Sequence, residues 1–65
     1  MFIELTTLQG RSILVNANQI TLIEGSDDRT NVFFGHDRSV SVSETYQTVW
    51  NKIPEEEKRL GRAVA

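Results

Sequence analysis

The chain has 65 residues, seven basic and nine acidic side chains for a net charge of −2, and no cysteine. These figures exclude disulfides and thiolate metal sites, and they remove the electrostatic case for a nucleic-acid or anionic-membrane partner. No apolar run approaches the ~20 residues that span a bilayer, and no charged segment followed by an apolar one marks a signal peptide, so a cytoplasmic protein is expected. A single domain of this size buries only about 60% of its unfolded surface. Such folds usually need a staple, and without cysteines and with one histidine the staple left is a partner subunit.

Phe2 to Thr6 alternates, with Ile3 and Leu5 on one side and Glu4 and Thr6 on the other, as a strand does. Gly10 closes a hairpin turn, and Arg11 to Val15 is the return strand. Its Ile13-Leu14-Val15 run implies burial on both faces, or cover from a second subunit. Asn16-Ala17-Asn18 is a break, because asparagine bonds its own backbone. Gln19 to Glu24 alternates again, with Ile20 and Leu22 on one face and Ile23 on the other. Gly25 to Asp28 is a turn. Thr30 to Phe34 and Ser39 to Val42 form a hairpin around Gly35-His36-Asp37-Arg38.

Tyr46, Val49, Trp50 and Ile53 fall at i, i+3, i+4 and i+7, one face of a helix. Thr45 is the preferred N-cap, and Ser41 with Glu44 is the alternative capping box. Pro54 ends this helix or starts a second one, with Glu55, Glu56 and Glu57 in its first turn and Gly61 as its stop. The expected fold is α+β: a small curved antiparallel sheet of four to five strands with one C-terminal helix packed on it. Residues 1–53 make the single β-rich domain, and 54–65 a short helix or frayed tail. The expected core is Phe2 or Ile3, Leu5, Ile13, Val15, Ile20, Leu22, Val32 or Phe34, Val40, Val42, Val49, Trp50 and Ile53. The expected sheet edges are Phe2 to Thr6 and Ser39 to Val42.

His36 beside Asp37 is an acid–base pair on paper. Neighbours in a turn seldom aim at one centre, and no nucleophile motif accompanies them, so a solvated turn histidine is the better reading. Asp27, Asp28 and Glu24 lack the ligand spacing of a calcium loop. Arg11, Arg29 and Arg38 stand at turns or strand ends. They, with His36, are the candidate anion contacts, for an arginine fork fits phosphate or carboxylate. Phe33 and Phe34 are adjacent and so face opposite sides of a strand. Only one enters the core, and Phe33, Leu14 and Ile23 are the candidate self-association surface.

Leu5-Thr6-x-Leu8-x-Gly10, then Asn16, Ile20, Glu24, Thr30, Val42, Glu44, Val49 and Ile53, resembles the FlbD (SwrD) family of small flagellar and swarming-motility proteins. The resemblance runs from Phe2 to about Ile53. It implies a non-enzymatic accessory module without cofactor that docks on a larger protein assembly, while the short chain and its two apolar runs predict self-association, most simply as a dimer. The alternative is a phage- or mobile-element-encoded binder of a small ligand such as a nucleotide, with sites at subunit interfaces.

Overall fold

The computed structural model describes residues 1–59, in an α+β fold. Leu60, Gly61 and the expected tail beyond them lie outside the described residues. Five strands precede two short helices: β1 Phe2–Thr6, β2 Ser12–Asn16, β3 Ile20–Gly25, β4 Thr30–Phe34, β5 Arg38–Val42, α1 Tyr46–Lys52 and α2 Glu55–Arg59.

The strands divide into two antiparallel sheets. One is the β1–β2 hairpin, and the other has the order β3-β4-β5. A bridge between Thr7 and Val42 joins them at one corner. There the Ser43 N–H donates to the Thr6 carbonyl at 2.8 Å, and the Thr6 N–H donates to Glu44 Oε1 at 2.9 Å. β1 and β5, the strands expected at the edges, are each an edge strand of their sheet, as are β2 and β3, and β1 and β5 approach each other only at this corner.

Turn chemistry follows the residue types. Gly10 and Gly35 take φ of +88° and +60°, the left-handed region that only glycine enters freely. The Asn16 side chain accepts from the Asn18 N–H and opens a 3-10 turn, Ala17–Gln19, that buries Ala17. Thr45 caps α1, its side chain accepting from the Thr48 N–H. Pro54 precedes α2, and its carbonyl accepts from the N–H groups of Glu57 and Lys58.

Ile3, Leu5, Val15, Ile20, Val32, Val42, Val49 and Ile53 are buried between the sheets and α1, together with Ala17 and Ile23. Ile23 departs from its expected place on the outer face. In the β3–β4 ladder Ile20 pairs with Phe34 and Leu22 with Phe33, so Thr21 is one residue too many for its partner strand. This bulge reverses the phase of β3. Leu22 turns to the outer face beside Phe33, and Ile23 turns in and is wholly buried. The Thr21 hydroxyl spans the bulge, lying 3.3 Å from the Phe33 carbonyl and 3.4 Å from that of Gly35.

The helix face also differs in emphasis. Val49 is its fully buried residue, while Trp50 is half-buried and packs against the core from the side. The Lys58 ammonium sits 4.5 Å from the Trp50 ring centroid and 3.6 Å from a Glu55 carboxylate oxygen, so α2 folds back over the tryptophan. A second tie runs from α2 to the 3-10 turn, where the Asn18 side-chain amide donates to the Glu57 carboxylate, itself buried.

Candidate functional site

The β1–β2 hairpin has two unlike faces. Ile3, Leu5, Ile13 and Val15 point to the core, and Phe2, Glu4, Leu14 and Ser12 point away. Phe2 is 62% and Leu14 70% exposed, and in the register of the hairpin they are diagonal neighbours on that outward face. An open groove of about 530 Å³ runs along β2, walled opposite by Phe34 and the turn that leads into β5. Its lining is mixed: Ile13, Val15, Phe34 and Val40 supply apolar surface, and His36, Asp37 and Arg38 line it as well.

The other candidate contacts lie elsewhere. Arg29 lines a second hollow, of about 460 Å³, between the β3–β4 turn and the start of α1. Its guanidinium is engaged by the neighbouring Asp28 at 3.2 Å, in the open. Hydrogen bonding from Arg29, and then its charge, holds the Asp28 carboxyl below the usual range. Arg11 is exposed in the β1–β2 turn and lines neither hollow. One chain therefore brings His36 and Arg38 together and keeps Arg11 and Arg29 apart from them.

Of the three residues read as a self-association surface, Leu14 is exposed on the hairpin. Phe33 is half-buried on the outer face of the other sheet, paired with Leu22. Ile23 is core and is withdrawn from that surface, for the bulge places it inside. Phe2 takes its place as the second exposed apolar side chain. Its signal in the sequence was its phase: it is out of step with Ile3 and Leu5, as Leu14 is with Ile13 and Val15.

Thr45 caps α1, so Glu44 does not serve the alternative capping box with Ser41. Instead its carboxylate reaches 38 residues back in sequence to the Thr6 N–H. Burial pushes this carboxyl up, but N–H donation from Thr6 and from its own backbone outweighs that, the Lys52 charge adds to it, and the group ends below its ordinary value.

Among the described residues no group of three His, Cys, Asp or Glu side chains could hold a metal ion, and no helix is long and apolar enough to cross a membrane. Comparison with curated proteins gives no match, and neither does comparison with solved structures. A family model described as flagellar and swarming motility proteins matches residues 2–61, nearly the whole chain and all of the site above. The hairpin glycine, the Thr6–Glu44 junction and the buried face of α1 fall within that match, and the chain belongs to the FlbD family.

Proposed function

We propose that the protein is a non-enzymatic accessory module of flagellar or swarming motility that self-associates and docks on a larger protein assembly. The observation that carries this reading is the outward face of the β1–β2 hairpin. Two large apolar side chains, Phe2 and Leu14, are more than half exposed there, on a sheet whose outer strand has an open edge. In a domain with so little core, apolar area of this kind is best explained by another protein surface. His36 and Asp37 stand exposed in a turn, and on this reading they are solvated turn residues rather than an acid–base pair. The net charge of −2 disfavours a nucleic-acid partner, and we place the protein in the cytoplasm as part of the same reading.

Light scattering at micromolar concentration tests the first half. A mass that is a multiple of 7.4 kDa is expected, and a monomer at all concentrations would refute self-association. Co-sedimentation with isolated flagellar assemblies tests docking, with a Phe2→Ser, Leu14→Ser double variant expected to lose it. The small-ligand alternative has less support, because the three arginines stand at separate places and only Arg38 lines the groove.

A further inference from the structure

We infer that the open edge of β2 pairs with the β2 of a second copy, antiparallel about a two-fold axis through Leu14. This rests on the self-association proposed above and names the strand that carries it. The Thr7 N–H donates to the Arg11 carbonyl and the Ala17 N–H to the Met1 carbonyl. These bonds make 7 with 11 and 1 with 17 the hydrogen-bonded pairs of the hairpin. By alternation Ile13 and Val15 also bond inward to β1. The N–H and C=O groups of Ser12 and Leu14, and the N–H of Asn16, are aimed the other way, off the edge.

Natural edge strands carry lysine, proline or a bulge against unwanted pairing. β2, Ser-Ile-Leu-Val-Asn, carries none of these. Its pattern is instead close to palindromic about Leu14. In the two-fold register Ser12 meets Asn16 of the copy, Ile13 meets Val15, and Leu14 meets Leu14. The exposed leucines become cross-strand partners, with Phe2 on their diagonals, and the half-buried Ile13 gains a β-branched neighbour.

Charge favours a second copy over another partner. Arg11 lies opposite Ala17 of the copy in this register, next to Asn18, whose amide is held by the Glu57 carboxylate at the acidic start of α2. The basic residue before each strand is thus brought toward the segment of the other copy that is tied to the acidic first turn of α2, twice over. The groove along β2 leaves the approach open on the core side. The self-complementary strand satisfies the requirement of a closed two-fold dimer, in which one patch binds itself.

The chain has no cysteine, so Leu14→Cys introduces a single thiol on an exposed side chain. Hydrogen-bonded antiparallel partners have Cα atoms about 5.5 Å apart, inside the range that a disulfide spans. Oxidised in parallel, L14C should give a covalent dimer at least about tenfold faster than S12C, whose two thiols lie on opposite sides of the axis. Hydrogen exchange on the unaltered protein is the second measurement. The amides of Leu14 and Asn16 should be protected at high concentration and lose protection on dilution. If the protein scatters light as a monomer, both this edge and self-association fall. If it is an oligomer but L14C fails to cross-link, S12C matches it, or those two amides exchange freely, only the edge is overturned.

Discussion

The Thr6 N–H and the Glu44 carboxylate, 2.9 Å apart, join the first strand of the chain to the segment leading into its first helix. With the Ser43 N–H on the Thr6 carbonyl and the Thr7–Val42 bridge, they form the seam between the two sheets. Glu44→Ala removes a charge-assisted bond to a backbone N–H that no other described group replaces. The site is half-exposed, so water recovers part of the loss, and a cost of about 1 kcal/mol is expected from urea unfolding. Glu44→Gln, which keeps an acceptor oxygen, should cost less than Glu44→Ala. Equal costs would mean that the bond contributes nothing.

Acid should act on the same seam. The Glu44 carboxyl titrates lower in the folded chain than in the unfolded one. Its contribution is therefore complete above the ordinary carboxylate pKa and is lost as pH falls through the lowered folded value. Unfolding midpoints measured from about pH 7 to pH 3 should decline at the acid end. In Glu44→Gln that decline should be shallower. An identical decline in both proteins would assign the acid sensitivity to other carboxylates.

Ile23 and Leu14 make opposite predictions although both are aliphatic strand residues. Ile23 is wholly buried, so Ile23→Ala should cost about 2–5 kcal/mol. Leu14 is 70% exposed, so Leu14→Ser should change the stability of a single chain by less than about 0.5 kcal/mol. Measurement at a concentration too low for association separates the two effects. A large loss for Leu14→Ser under those conditions would contradict its exposure.

Gly25 tests how closely α1 lies on β3. A Cβ built there would stand 3.2 Å from the Cβ of Tyr46, the first residue of α1. That is tighter than most such contacts, and the atom it meets is anchored to the helix backbone, so the helix must shift by a few tenths of an ångström. Gly25→Ala should cost about 1–3 kcal/mol. Tyr46→Ala would not relieve it, since alanine keeps that Cβ.

Trp50→Ala should be milder than loss of a fully buried tryptophan, for which about 3–5 kcal/mol is usual. The ring is half-buried, and about 2 kcal/mol is expected, with Lys58→Ala accounting for a few tenths through the cation on its face. Trp50 fluorescence in Lys58→Ala reports whether α2 still covers the ring.

Much of the architecture was legible because it is written in local chemistry. Gly10, Gly35, Asn16 and Thr45 each specify a turn or cap within four residues, and the structure has those features there. Ile23 was not legible, because a bulge changes the phase of a strand without changing its composition. The partner of Glu44 was hidden for a related reason. Its local partner, a capping box, competes on paper with a partner across the sheet seam, and only the packed fold decides between them. The site residues divided on the same line. The Arg29 guanidinium is taken up by its own neighbour, and no spacing rule connects it to Arg38.

The seam has a kinetic side. Every strand pairing within the two sheets is between neighbours in sequence, closed by short turns. The contacts of Thr6 and Thr7 with Val42, Ser43 and Glu44 instead close a loop of more than thirty residues. Such closure is entropically late, and a lone two-stranded hairpin is marginal in water. The β1–β2 hairpin should then zip onto an already formed three-stranded sheet, with the seam made after the transition state. Changes at Glu44 would leave the folding rate nearly unaltered and appear as faster unfolding, so this residue sets how long the native state lasts rather than how quickly it is reached.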